Sequence, residues 1–438
     1  MQIIKKNPIP VYILLFVLFS NIFFGYGFQI FNIFNIPINY IFLIIFIFFL
    51  KIQKSANYLF QINLFNLIIL FIIFNFFKLL MSYSSYGIYA IRDSTYVFDL
   101  FFIVISFSIF HNYFDTSKIL KVLNLIFYLT LIFIFMWFFK DFFQSFSIRV
   151  GSPTGASADL FFNFSTIALL SIWFAFYNLI LFPNEKNHSK KYLLFFLLIA
   201  FSVVFFQRRS IYLCLVAIFF ISLFFNKRET LKVFIILMIG SLIIPLANLF
   251  GISFTGYLGE VSSIFFFVEH FLSALPGYKH NNEIFESTSG TANLRLDFWK
   301  YVIETQLSNI KFLFFGQDYG APLVYFKATG GIPVREPHNM YLTVFARTGL
   351  FGLIIFILIH FRLLAIWIYS FKLSLKKEKR KENQILIFLG IYLLFIYIIG
   401  LTDSVLVANY HSIVFNIFWG IVISIYFKLK ENENTSNT

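Results

Sequence analysis

Few residues in this chain could do chemistry, and they fall in three separated segments. Arg335-Glu336-Pro337-His338-Asn339-Met340-Tyr341-Leu342 stands where a long polar loop gives way to a long apolar run. Its titratable group is His338, whose neutral imidazole can take a proton from a hydroxyl; Arg335 precedes it by three residues. The second segment is Gln207-Arg208-Arg209-Ser210, and the third is Arg295 with Trp299 one helical turn later. The planar guanidinium makes two parallel, charge-assisted hydrogen bonds to a phosphate, which an ammonium cannot match. The sequence therefore offers phosphate recognition by Arg208, Arg209, Arg295 and Arg335, and proton transfer by His338. The plainer reading of His338 is a helix cap or a headgroup contact, and that of the Arg208–Arg209 pair is snorkelling to the membrane surface. No metal-ligand spacing, paired carboxylate or glycine-rich phosphate loop stands out, so no cofactor and no ATP-driven step is expected. Cys214, the single cysteine, lies in an apolar run and reads as a small buried residue.

These groups must be positioned by membrane helices. Of 438 residues, 60% are hydrophobic and only 12% are charged, about half the charge of a soluble domain. The 69 phenylalanines serve as lipid-facing surface. The sequence predicts an all-α, polytopic membrane protein. Apolar runs of roughly the 17–25 residues that cross a bilayer, or slightly shorter, fall near 10–28, 37–50, 58–80, 96–110, 119–140, 160–182, 192–206, 210–226, 231–250, 349–370, 384–401 and 408–427. That makes about 12 spans and puts both termini on one side. The first run lacks a small-residue cleavage site, so it is expected as a span and not as a cleaved signal peptide. The expected organisation is helices 1–9 over residues 1–250, an outer loop with short helices over 251–337, helices 10–12 over 338–430, and a polar, disordered tail over 431–438.

Charge orients the stack. The net charge of +14 would suggest nucleic acid for a soluble chain, but here it lies in short loops and sets topology. Lys5, Lys6, Lys51, Lys54, Lys118, Lys121, Lys186, Lys190, Lys191, Lys227, Arg228, Lys232 and the 371–383 cluster fall in one alternate set of loops. The other set carries mainly Arg92, Arg149, Arg208 and Arg209. The positive-inside rule puts both termini in the cytoplasm and the 251–337 loop outside. Within that loop, Thr291 is expected to cap a helix from about Ala292 to Leu307, followed by a turn at Gly316-Gln317-Asp318-Tyr319-Gly320. Pro337 is expected in the first turn of the next helix, with His338 at its mouth. Gly349 and Gly352 would let the chain turn before the apolar run.

Placed together on an outer membrane face, these groups suit attack of a sugar hydroxyl on a carbon whose leaving group is a lipid-linked diphosphate. The arginines would stabilise the departing diphosphate in place of a divalent metal. Were a metal needed, Asp297 and Asp318 are the first candidates to hold it. The order of motifs resembles the bacterial O-antigen ligase and O-antigen polymerase superfamily: Gln207-Arg208-Arg209-Ser210, Arg295 with Trp299, Gly316 to Gly320, then His338-Asn339-x-Tyr341-Leu342 followed by Gly349 and Gly352, over roughly residues 190–370. The resemblance implies metal-independent, inverting glycosyl transfer in the bacterial inner membrane, with a glycan on undecaprenyl diphosphate as donor. Partners would be that donor and the bilayer, with a chain-length regulator and other polysaccharide-assembly proteins as further candidates, and no nucleic acid.

Carried over, the family's first arginine falls on Arg209, which directly precedes the small Ser210, or on Arg208. The loop arginine falls on Arg295 and the histidine on His338, with Asn339, Trp299, Tyr341 and Glu336 in support. Where many members have an acid, this chain has Arg347-Thr348-Gly349, so that acid's role is lost or moved, with Glu336 the candidate to take it. A polymerase of O-antigen or capsule repeat units is the leading expectation. A ligase moving finished glycan to lipid A core and a lipid-glycan flippase are the alternatives. A flippase would carry polar residues spread through its spans, whereas here they cluster on one face.

Overall fold

The computed structural model describes residues 8–33, 36–49, 52–136, 139–151, 157–160, 283–324, 334–407 and 409–436, with short stretches between 214 and 272. The chain divides into two compact units, Met1–Thr166 with Tyr301–Thr438, and Ile167–Lys300.

The first unit is a helical bundle: α1 (Ile9–Phe23), α2 (Gly25–Ile30), α3 (Ile38–Phe49), α4 (Ile52–Gln61), α5 (Leu64–Tyr86), α6 (Ile88–Phe98), α7 (Phe101–Tyr113), α8 (Thr116–Met136) and α9 (Lys140–Ser145). Helix α10 (Glu283–Ser308) crosses from the second unit into the first. Three long helices and one short one complete the bundle: α11 (Ile310–Phe315), α12 (Met340–Lys376), α13 (Arg380–Ile399) and α14 (Asn409–Ser436). Long apolar runs become helices because hydrocarbon offers no partner for a backbone N–H or C=O, and the helix satisfies both within the segment. Two short hairpins, Asn32–Ile33 with Ile36–Pro37 and Arg149–Gly151 with Ser157–Asp159, are antiparallel pairs.

Among the described residues five helices are long and apolar enough to cross a membrane: Leu64–Tyr86, Ile88–Tyr113, Met340–Lys376, Arg380–Ile399 and Tyr410–Glu431. Ile88–Tyr113 and Tyr410–Glu431 are buried over most of their length, whereas Leu64–Tyr86 exposes Phe76, Phe77, Leu80 and Met81. The buried pair forms the heart of the bundle. Gly420 of α14 lies against Ser106 and the Phe107 backbone of α7, so closely that a Cβ there would overlap both. Small residues at such crossings let helices approach without a hydrophobic driving force.

Described members of the lysine-rich loop set lie together at one end of this unit. There Thr116 bonds Glu382, Lys381 bonds Ser117, Lys377 bonds Leu429 O, and Lys428 reaches the carbonyls of Phe110 and Phe114. At the other end lie the start of α12, the end of α13 and the start of α6. The expected spans over 160–182, 192–206, 210–226 and 231–250 lie wholly or mostly outside the described residues.

Several boundaries differ from expectation. Helix α12 starts at Met340, so Pro337 precedes the helix and does not fill its first turn. Gly349 is a kink inside α12, while Gly352 is helical. Helix α10 begins at Glu283, eight residues before Thr291, which is interior and does not cap it. Arg92, expected in a loop, lies within α6. The polar tail is helical to Ser436.

In the second unit, Phe254–Thr255 and Glu260–Val261 pair antiparallel, and the N-terminal part of α10 carries Arg295 and Trp299.

Candidate functional site

The site is built at the mouth of α12. Asn339 is its N-cap: the Asn339 side chain accepts from the Leu342 amide at 3.0 Å, and its Nδ2 donates to Leu401 O at 3.0 Å. The Met340 amide donates to Gly400 O at 2.9 Å. The first turn of α12 is thus tied to the end of α13, and Tyr341 Oη adds a long bond to Tyr397 O at 3.4 Å. Asn is a favoured cap because its side-chain oxygen satisfies an amide that the helix leaves open.

His338 stands just before this cap with φ 52°, in the left-handed region. Its side chain is 46% exposed, and Nδ1 lies 3.9 Å from Oδ1 of Asp403 in the loop after α13. Asp403 Oδ1 also accepts from the Ser404 amide at 2.8 Å. Nδ1 is the imidazole nitrogen paired with the carboxylate, which leaves Nε2 to meet a hydroxyl.

Upstream, Arg335 donates from Nη1 to Gly320 O, and its guanidinium lies 4.0 Å from the centroid of the Tyr89 ring. Arg92 approaches the same ring at 5.6 Å. Glu336 is half-buried between these groups. Burial pushes its carboxyl above the usual range and the Asp93 charge adds to this, while Arg92, His338 and Arg347 pull the other way.

Below the rim, Arg347 of α12 and Asp93 of α6 form an ion pair at 2.8 Å, with exposures of 1% and 6%. Arg347 also donates to Asp318 O at 2.6 Å and to Arg335 O at 3.3 Å. The Gly316–Gly320 turn is held from α5 and α6. Lys78 donates to Phe315 O at 2.7 Å, Ser82 Oγ accepts from the Tyr319 amide at 3.0 Å, and Asp93 Oδ2 accepts from the Gly320 amide at 3.1 Å. Tyr319 is fully buried and donates to Asn75 at 2.5 Å; burial and the neighbouring Tyr96 hold its phenol well above its ordinary pKa.

The turn also needs glycine where it meets the kink. A Cβ on Gly316 would fall 2.4 Å from the Arg347 backbone, and one on Gly349 would fall 2.3 Å from the Phe314 backbone. Both glycines have positive φ. The end of α11 and the kink of α12 therefore touch backbone to backbone, and Gln317 N donates to Ala346 O at 2.7 Å.

Of the residues singled out from sequence, Arg335, Glu336, His338, Asn339 and Tyr341 share this mouth. Arg295 and Trp299 stand four residues apart on α10, in the second unit. Arg208 and Arg209 lie outside the described residues. Sequence reasoning did not single out Asp93, Asp403, Lys78 or Tyr89. It noted Arg347 merely as a departure from an acid. A lysine at 78 and an aspartate at 93, each beside apolar helix, were the available signals, since ionisable groups at membrane depth are rare without a partner. Among the described residues no group of three His, Cys, Asp or Glu stands ready to hold a metal.

Residues 193–357 match the family model described as O-antigen ligase. The match supports the O-antigen ligase and polymerase superfamily to which the motifs pointed, and the five long apolar helices among the described residues are consistent with a membrane protein. No curated protein matches the chain. The matched segment includes Arg295, the Gly316–Gly320 turn, the α12 mouth and the kink. Asp93, Lys78 and Asp403, which contact or hold these parts, lie outside it.

Proposed function

We propose that this protein is a polymerase that joins undecaprenyl-diphosphate-linked oligosaccharide repeat units, of O-antigen or capsule, on the outer leaflet of the bacterial inner membrane. His338 Nε2 takes the proton of the acceptor hydroxyl. The hydroxyl oxygen forms a bond to the anomeric carbon from the face opposite the diphosphate, the carbon–oxygen bond to the diphosphate breaks, and configuration inverts. The proton stays on the imidazole and then passes to solvent. Asp403, 3.9 Å from Nδ1, stabilises the imidazolium that forms, as an oriented carboxylate does beside a histidine base. Arg209, or Arg208, and Arg295 hold the departing diphosphate. Arg335, with Nη1 already bonded to Gly320 O, offers its remaining N–H groups.

The observation that carries this reading is His338, exposed at a capped helix mouth beside a carboxylate, inside the segment that matches the O-antigen ligase model. That family description also supports a second reading, a ligase that moves finished glycan to lipid A core. Purified protein given the lipid-linked repeat unit alone should form a ladder of lengthening products, in excess chelator as well as in magnesium. Product formed only when lipid A core is added would favour the ligase. Activity lost in chelator and restored by magnesium would overturn the metal-independent mechanism.

A further inference from the structure

Asp93 and Arg347 are 254 residues apart in sequence and meet at 2.8 Å with almost no exposure. A buried ion pair is a poor device for stability alone, because desolvation offsets much of the attraction and a well-packed apolar pair can do as well. What this pair does geometrically is close a ring. Arg347 Nη2 donates to Arg335 O at 3.3 Å; Arg335 Nη1 donates to Gly320 O; the Gly320 amide donates to Asp93 Oδ2 at 3.1 Å; and Asp93 Oδ2 receives Arg347. Arg347 Nη1 adds Asp318 O at 2.6 Å, and Asp93 Oδ1 takes Arg92 Nε at 2.9 Å and Nη2 at 2.7 Å. The ring joins α6, the Gly316–Gly320 turn, the strand of chain at Arg335 and α12. His338 follows Arg335 by three residues and is pinned on its other side by the Asn339 cap. Its short turn hangs between these two anchors.

We infer that Asp93 and Arg347 are a positioning pair, which fixes the Arg335–His338 turn so that the imidazole is presented at the mouth of α12. The inference rests on the proposed role of His338 as the base. The pair does not itself touch substrate; it acts through Arg335 and the Gly316–Gly320 turn. Misplacing a reacting group by about 1 Å can cost on the order of 10²-fold in rate, so the pair's contribution belongs in kcat.

The test uses the full chain in detergent or lipid discs, with Arg347→Lys, Asp93→Asn and the double variant Asp93→Leu/Arg347→Met. The double variant leaves no unpaired buried charge, so it keeps the test readable should Asp93→Asn, which strands the Arg347 charge, fail to fold. Amide hydrogen exchange over 316–320 and 334–339 reads the turn directly, apart from any activity. The expected result for the double variant is a melting temperature near wild type, faster exchange in both stretches, and kcat lower by about 10²-fold with KM little changed. Arg347→Lys should keep the ion pair yet lose the fork to Asp318 O and Arg335 O, and so fall between. Wild-type exchange in the double variant would overturn the inference, as would faster exchange with wild-type kcat. Faster exchange in a protein whose wild type makes no glycan product would leave the ring standing and remove the polymerase reading instead.

Discussion

His338 is one of three described non-glycine residues with positive φ, the others being Asn63 and Glu378. For an L-residue that region costs roughly 1–2 kcal/mol, and here the cost is offset by the anchors on either side. Replacing His338 with Ala or Gln keeps the strain and removes the imidazole, so loss of turnover cannot be blamed on backbone relief. A general base contributes on the order of 10²–10⁴-fold; His338→Ala should lose that in kcat while donor binding persists. His338→Gln keeps a hydrogen-bonding group without a titrating nitrogen. Near-normal turnover with Gln would make His338 a positioner of the acceptor, and tolerance of Ala would return it to a helix cap. Glu336 carries a separate, pH-dependent prediction. Its carboxyl is raised in the folded protein by burial and by Asp93, so folding favours the protonated form. That contribution is present below the ordinary carboxylate range and is lost as pH rises through the raised value. Thermal midpoints measured across that window should fall for wild type relative to Glu336→Gln; parallel curves would refute the assignment. The histidine and its cap were legible in the sequence because the helix mouth is local. Asp403 and Asp93 were not, because they reach the site by tertiary contact across 65 and 245 residues of chain.

At the scale of elements, the glycines carry the geometry. Gly349 has φ 64° and ψ −167° inside α12, a region open essentially to glycine alone and costing other residues about 1–3 kcal/mol. It also touches the Phe314 backbone, where a Cβ would fall at 2.3 Å. Gly87, between α5 and α6, has φ 51° but nothing near its would-be Cβ. Gly87→Ala should therefore cost strain alone, whereas Gly349→Ala should cost strain and push α11 off α12. Melting temperatures of the two variants measure the difference; an equal loss would mean that the α11–α12 contact adds nothing. Sequence marked Gly349 and Gly352 for a turn before the apolar run; the structure bends at Gly349 within α12 and keeps Gly352 helical, because of the two Gly349 alone has a positive φ, where other residues rarely go. It missed the start of α10, because Glu283-Ile284-Phe285-Glu286-Ser287-Thr288-Ser289-Gly290 has weak helix propensity and reads as loop. Once a helix exists, each added residue gains a bond at little further cost, and propensity is overridden.

For the whole molecule, the positive-inside argument and the packing of the first unit agree on which groups share an end. Lys377, Lys381 and Lys428 bond their neighbours at one end, together with Thr116, Ser117 and Phe114. His338, Asp403, Arg335 and Tyr89 meet at the other. The proposed function follows the rule in assigning the lysine-rich end to the cytoplasm; His338 would then stand on the outer face, where a lipid-linked glycan donor would be met. A periplasm-sensing reporter fused after residue 300 should be active, and one fused after residue 380 should be silent, with a cytoplasm-sensing reporter giving the reverse. Residue 380 begins α13 beside the lysine cluster, so its fusion tests the lysine end, while the fusion after 300 tests the loop that leads to the mouth of α12. Cytoplasmic signal from the residue-300 fusion would place His338 on the inner face, remove it from any outer-leaflet donor, and overturn the proposed polymerase. It would leave intact the hydrogen-bonded ring of Asp93, Arg347, Arg335 and Gly320, which depends on packing and not on which side of the bilayer it faces.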